Sequence, residues 1–173
     1  AASDVYKRQY LSYTFDNQLI GFDSVKIGTF HFANDISQIK SISINESETY
    51  RKKYDTHNFD KKRNTADEQI YQIYLSRAEE LAEVIFSLIQ KSRFRDLTEN
   101  NIILTGYGSK SQIFSKILSL KFKNSNFRVG ASLKLNGPKK YIDNPSFTSS
   151  CGLLIYVVNH DLEGSNNEKN TKK

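Results

Sequence analysis

Apolar residues recur along this chain with a period near two at its start and near three and a half beyond it, and the change of period marks the elements. Residues 10–16 and 19–27 are rich in Tyr, Phe, Leu, Ile and Val and are separated by Asn17-Gln18. Asparagine tolerates the left-handed backbone of a tight turn, so the two runs are predicted to pair as an antiparallel hairpin. Gly28 ends the second run, and Phe32, Ile36 and Ile39 then share one face of a short helix over 30–39. A second helix is predicted over 44–54, with Asn45 as its cap and Glu46 and Glu48 in a first turn whose dipole favours carboxylates. Residues 51–63 mix Lys, Arg, Asp and His without a period and read as a loop. Thr65 with Glu68 is a capping box opening the longest helix, which runs to about Ser92. Its predicted buried stripe is Ile70, Tyr74, Leu81, Ile85 and Leu88, with Arg77 and Glu80 beside it and basic Arg93 and Arg95 at its end.

The chain is organised around residues 101–120, which read strand, glycine turn, helix. Ile102, Ile103 and Leu104 are a short apolar run, Thr105-Gly106-Tyr107-Gly108 breaks it, and Ser109 with Gln112 forms a capping box. Ile113, Phe114, Ile117 and Leu118 follow at helical spacing. Glycine has no Cβ and takes positive φ, so such a turn lets backbone approach a ligand closely; it serves equally as a plain strand-to-helix connection. A short strand is predicted over 127–129 and a weaker extended piece over 131–135, before a turn at Gly137-Pro138. Asn144 caps and Pro145 starts a final helix. Its Ser149, Ser150, Cys151 and Gly152 are small enough to press against a neighbour before Leu153, Leu154, Ile155 and Tyr156 enter the core. Residues 159–173 are polar and expected to be disordered. Strands interleaved with helices in this order predict an α/β chain built on a mixed sheet.

Composition changes this picture little. At 173 residues the chain is long enough for one domain with a proper core. The net charge of +6 invites a nucleic-acid reading, but the lysines are scattered and no recognition motif accompanies them, so no nucleic-acid partner is expected. The single cysteine, Cys151, excludes an internal disulfide and reads as a core residue, and no apolar run is long enough to span a bilayer. His31, His57 and His160 lack metal-ligand spacing with Cys151, and no catalytic triad or paired carboxylates are legible, so no catalytic or metal residue is assigned. The chain contains no methionine, and residues 4–9 read like the translated end of a sequencing adapter. Residues 1–9 are therefore set aside as an assembly scar, and the rest is read as a piece of a longer protein.

Four segments, in order, resemble the actin-like cell-division family FtsA. Gly28-Thr29-Phe30-His31-Phe32-Ala33-Asn34-Asp35-Ile36 is similar to that family's G-G-x-H-x-T-x-D-I, and Asn45-Glu46-Ser47-Glu48-Thr49-Tyr50-Arg51 to its S-E-x-E-x-x-K helix. Ile103-Leu104-Thr105-Gly106-Tyr107-Gly108-Ser109 resembles its adenosine turn, L-T-G-G-G-[AS]. Asn144-Pro145-Ser146-Phe147-Thr148-Ser149-Ser150-Cys151-Gly152-Leu153-Leu154 matches N-P-x-[FY]-x-x-[AS]-x-G-L-L. The resemblance covers about residues 10–156.

It implies one lobe of an actin-like or Hsp70-like ATPase without its N-terminal half. Residues 10–34 and 101–158 would be the lower subdomain, and 35–100 the upper one inserted between them. The resemblance further implies ATP with Mg, held in the intact protein by the Gly106, Tyr107, Gly108 and Ser109 turn, with Glu48 and Arg51 at the ribose. Asp35 is open between a nucleotide role and a structural hydrogen bond. The implied partners are the C-terminal peptide of FtsZ, with Arg77 as its contact, other copies in actin-like filaments, and the cytoplasmic membrane at the division site through a helix outside this chain. Hydrolysis by the intact protein stays open. Tyr107 stands where the family has a second glycine, Thr29 replaces another, and the phosphate loops fall outside the chain, so by itself it is expected to bind ATP weakly or not at all. An actin-like ATPase of chaperone or filament-forming type, and a basic nucleic-acid module, are the alternatives.

Overall fold

The structure, a computed structural model, describes residues 7–55, 65–98, 101–130 and 136–158, without the side chains of Ala66 and Thr98. The expectations for 56–64, 131–135 and 159–173 lie outside the described residues. Strand β1 (Gln9–Phe15) pairs antiparallel with β2 (Gln18–Val25), with an irregularity between Tyr13 and Thr14. The turn is Asp16-Asn17, one residue earlier than expected, and both residues have positive φ, at 49° and 60°. That is the two-residue hairpin loop whose twist suits right-twisted strands, and a residue of the asparagine type is what it requires. Gln9 belongs to β1, inside the stretch set aside as a scar.

Helix α1 (Thr29–Lys40) follows at once, and its start is closed by the backbone amide of Gly28 donating to His31 Nδ1 at 3.0 Å. Phe32 and Ile36 are buried as expected, but Ile39 is 65% exposed, because no described residue covers the last turn of that face. Helix α2 (Ile44–Asp55) is capped by Ser43 rather than Asn45: the Ser43 hydroxyl accepts the Glu46 amide at 3.2 Å. It also runs through Asp55, so the predicted loop begins later than residue 51. Helix α3 (Thr65–Lys91) buries Ile70, Tyr74, Leu81 and Ile85, while Leu88 is only half-buried and Ile89 takes the inward position. Thr65 is already inside α3, so the residue in the capping position lies outside the described ones. The short helix α4 (Arg95–Thr98) separates α3 from the next strand, so Arg95 opens a new helix instead of closing the long one.

Strand β3 (Asn101–Leu104) and β4 (Asn126–Val129) are parallel, joined through a 3-10 turn (Tyr107–Lys110) and helix α5 (Gln112–Lys121). Ser111, not Ser109, caps α5 by accepting the Phe114 amide at 3.1 Å. The inserted 3-10 turn moves the cap: Ser109 hydroxyl instead donates to the Gly106 carbonyl at 2.7 Å. After α6 (Lys139–Ile142), Asn144 accepts the Ser146 amide and Pro145 opens a 3-10 turn, as the sequence predicts. Helix α7 (148–158) continues from it. Here the expectation fails: Leu153, Leu154 and Tyr156 are each more than 60% exposed, and of the small residues only Cys151 is buried.

The sheet therefore consists, among the described residues, of two separate pairs, β1-β2 and β3-β4. One continuous core joins them. Tyr13 and Val25 of the hairpin, Phe32 and Ile36 of α1, Tyr54 of α2, Tyr74 and Leu81 of α3 and Ile113 and Phe114 of α5 belong to it. The aromatic rings interlock, with Phe32 and Tyr74 centroids 4.9 Å apart and Tyr54 at 6.1 Å from Tyr74. This core spans residues expected on both sides of the subdomain boundaries at 34–35 and 100–101.

Candidate functional site: a buried ion network under the glycine turn

Helical spacing builds the centre of the site. Glu48, Arg51 and Asp55 lie three and four residues apart on α2, so their side chains meet on one face. Arg51 donates from Nε and Nη2 to the two oxygens of Glu48, at 2.7 and 2.6 Å, and from Nη1 to Asp55 Oδ2 at 2.6 Å. Such a two-pronged pair gives geometric specificity as well as energy. The other oxygen of Asp55 accepts the Tyr74 hydroxyl at 2.6 Å, and the Tyr74 oxygen is 2.8 Å from the Ser111 hydroxyl. Since Ser111 also caps α5, one chain of hydrogen bonds ties α2, α3 and α5 together.

Burial makes this network costly and directional. Arg51 is 2% exposed. Burial works against its charge, but the hydrogen bonds it donates to Glu48 and the charges of Asp55 and Glu48 outweigh it and hold the guanidinium's pKa above its usual value. Burial is also the largest influence on Tyr74, and the neighbouring Asp55 charge adds to it, so its hydroxyl titrates well above the ordinary tyrosine range. A cavity of about 20 Å³ lies against Arg51, Asp55, Tyr74, Ser111 and Gly108. It has room for about one water and for nothing larger.

The glycine turn comes down on this network from outside. The Tyr107 ring lies over the Arg51 guanidinium, 5.4 Å from its centroid, and Lys110 Nζ stands 5.6 Å from the same ring. Gly106 has φ +81°, a conformation that side chains rarely adopt, and among the described residues no atom beyond its chain neighbours lies within 4 Å of where a Cβ would be. The turn thus presents open backbone beside a half-exposed tyrosine ring. The Glu48 side chain, 32% exposed, is the part of the network that reaches solvent.

The structure therefore brings together the two groups predicted from distant stretches, Gly106 to Ser109 and Glu48 with Arg51. It leaves Arg77 apart. That arginine donates from Nε to Asp35 Oδ2 at 2.6 Å and from Nη1 to Glu80 Oε2 at 2.7 Å, joining α3 to α1. A shallow groove beside it is lined by Ile39 and Ile73 as well as by Asp35 and Glu80. Asp55 and Ser111 were not singled out from sequence, and Tyr74 was expected only as part of the buried stripe of α3. The spacing of four between Arg51 and Asp55 was a usable signal for one of them; the other two are recognisable only once α3 and α5 are packed. No group of three or more His, Cys, Asp or Glu side chains able to hold a metal occurs among the described residues. No described helix is long and apolar enough to cross a membrane.

No protein-family profile matches the chain. Among characterised proteins it is similar to the cell division protein FtsA of Agrobacterium fabrum, 25% identical over 175 residues, which cover 86% of this chain and 38% of that protein. The cell division protein FtsA of Rhizobium meliloti is similar to the same extent, again 25% identical with 86% of this chain covered. The chain thus spans 38% of the length of these relatives. Among solved structures it resembles the ethanolamine utilization protein EutJ from Carboxydothermus hydrogenoformans, with a TM-score of 0.57 at 14% identity over 84% of this chain and 44% of that one. The fold is accordingly part of an actin-like ATPase fold, and the resemblance to FtsA drawn from the four motifs is met again over 86% of this chain.

Proposed function

We propose that this chain is part of an actin-like cell-division protein of the FtsA kind, which binds ATP in its longer form and links FtsZ filaments to the inner face of the cytoplasmic membrane at the division site. The observation that carries the reading is the meeting of the glycine turn with Glu48 and Arg51, 55 or more residues apart in sequence and joined by the 5.4 Å contact of Arg51 with Tyr107. Open backbone at Gly106 suits the flat face of a base, and Glu48 offers carboxylate lone pairs to ribose hydroxyls. Arg51 fits a positioning role better than a contact. Its donors already serve Glu48 and Asp55, so it holds the Glu48 carboxylate in place. The nucleotide would bring its phosphates and their Mg ion to donors beyond these residues. For that reason the chain by itself is expected to bind ATP too weakly to measure.

Two measurements test this. A fluorescent peptide with the C-terminal sequence of FtsZ should bind this chain saturably, read by anisotropy; no binding at any accessible concentration contradicts the reading. Calorimetric titration of Mg-ATP should give no heat with this chain alone. In the longer protein Glu48→Gln should weaken ATP binding about tenfold, the equivalent of about 1.4 kcal/mol. A Glu48→Gln protein that binds ATP at full strength removes Glu48 from the site. The likeness to EutJ, a protein named for ethanolamine utilization, favours a second reading as an actin-like ATPase of another kind. Failure of the FtsZ peptide to bind, with ATP binding intact in the longer protein, would select it.

A further inference from the structure

One side chain interrupts the open backbone of the glycine turn. Tyr107 follows Gly106 directly and is 40% exposed, and two cations hold its ring. The Arg51 guanidinium lies 5.4 Å and the Lys110 ammonium 5.6 Å from the ring centroid, both within reach of a cation–π attraction. Arg51 is itself fixed, because its Nε, Nη1 and Nη2 all donate to Glu48 or Asp55. The ring therefore rests on an immobile charge. A tyrosine has only two side-chain torsions, so an aromatic surface held in this way costs little to order when a second flat ring stacks on it.

Side chains able to read the edge of a base are scarce at the same place. Ser109 is buried, and its hydroxyl donates to the Gly106 carbonyl at 2.7 Å, which also accepts the Ser109 amide at 3.2 Å. The Gly108 carbonyl accepts the Ser111 amide at 3.1 Å, and Thr105 Oγ1 is 2.8 Å from Thr148 Oγ1. Gln9, which approaches Gly108, lines the one-water cavity shared with Asp55 and Tyr74. The Tyr107 phenol oxygen lies in the plane of its ring, so it cannot reach the edge of a base stacked on that ring. With Glu48 given to the ribose, Lys110 is the side chain left for a base edge among the described residues of the turn, and an ammonium only donates. Adenine and guanine both carry edge acceptors, N7 on each and O6 on guanine, so Lys110 does not tell them apart.

We propose that Tyr107 is the specificity-determining residue of this site: it reads a nucleobase by its face, taking purines alike and pyrimidines less well. This role presupposes the nucleotide reading above and adds to it the class of base. Stacking tolerates changes of base, since every base has a π face. It favours the two fused rings of a purine, which cover more of the tyrosine than one ring does. A glycine at position 107 would leave the base against backbone alone.

The test uses this chain with the 5′-monophosphates of adenosine, inosine, cytidine and uridine, read by NMR from the upfield shifts of the base protons. Inosine carries an oxygen where adenosine carries an amino group, so that pair isolates edge reading. Stacking on one ring gives dissociation constants on the order of 10–100 mM, within reach of NMR though not of calorimetry. The two purines are expected to bind within about threefold of each other and about fivefold tighter than the pyrimidines. Tyr107→Leu should weaken purine binding about tenfold and Tyr107→Phe should keep it, with unchanged amide spectra as the folding control. The tyrosine resonance missing from Tyr107→Phe identifies the ring, and an Overhauser contact from it to the purine H8 is expected in the parent chain. Purine binding undiminished in a folded Tyr107→Leu, or no such contact at about 100 mM nucleotide, overturns the platform. Adenosine monophosphate bound more than about thirtyfold tighter than inosine monophosphate overturns reading by the face. Tyr107-dependent purine stacking without FtsZ-peptide binding keeps the platform and sinks the functional reading. FtsZ-peptide binding, with ATP binding in the longer protein indifferent to Tyr107→Leu, does the reverse.

Discussion

Arg51 is the hub of the buried network on α2, bonded to both Glu48 and Asp55. It sits between two carboxylates with its guanidinium out of water, so removing it strands the Asp55 charge in the core. Arg51→Ala is expected to cost about 3–5 kcal/mol, read from chemical denaturation, because an uncompensated buried charge is far more expensive than the pair was worth. A loss below about 1 kcal/mol would show that Asp55 finds water or a proton without strain. Tyr74 gives the pH test. Its folded pKa is raised well above the value near 10 of a free tyrosine, so the stability it contributes is complete below about pH 10 and is lost as pH climbs through the folded value. The tyrosinate absorbance of the ten tyrosines should therefore include a late component that appears only with unfolding. Tyr74→Phe should be less stable at neutral pH by about 1–3 kcal/mol, yet lose stability less steeply in alkali.

At the scale of elements, the two serines before α5 separate the sequence's reading from the structure's. Ser111 Oγ accepts the Phe114 amide and donates to the Tyr74 oxygen, whose own proton goes to Asp55, so Ser111→Ala should cost about 2 kcal/mol, one part for the cap and one for the lost network bond. Ser109→Ala removes a single bond to the Gly106 carbonyl and should cost about half as much. Urea midpoints at constant slope decide it, and a costlier Ser109→Ala would restore Ser109 as the effective cap. Helix α7 makes the complementary point. Leu154 is 62% exposed, so Leu154→Ser should leave stability within about 0.5 kcal/mol. An apolar stripe in sequence states that a face needs cover, and it is silent on whether the cover is present.

For the whole molecule, Arg77 is a tie between α1 and α3 before it is anything else. Charge reversal there would set a third carboxylate beside Asp35 and Glu80 and confound binding with folding. Arg77→Gln avoids that, and it should lower affinity for the FtsZ peptide about tenfold if the arginine reads the peptide's carboxylates. Asp35→Asn, which removes one of the guanidinium's two ion pairs and leaves the one with Glu80, should leave that affinity unchanged or raise it. Equal losses in both variants, matched by equal falls in melting temperature, would make the residue a packing element only. The acidic partners of Arg77 weigh against an acidic peptide, and the Ile39 and Ile73 wall of the groove weighs for one.

What the sequence determined by itself was local. The hairpin, the helix faces through Phe32 and Ile36 and through Ile113, Phe114, Ile117 and Leu118, and the Asn144-Pro145 start are set by turn chemistry and by periods of two and three and a half, which act over a few residues. The order of motifs carried the actin-like fold as well, because each motif keeps its own local shape. Tertiary structure decided the rest. It buried Arg51 by laying Tyr107 over it, exposed Ile39 and the leucines of α7, moved the cap to Ser111 through a 3-10 turn, and recruited Asp55 and Tyr74. Each of these depends on which elements meet across tens of residues. The free energy there lies in desolvation and in pairing between groups that no window of sequence holds together.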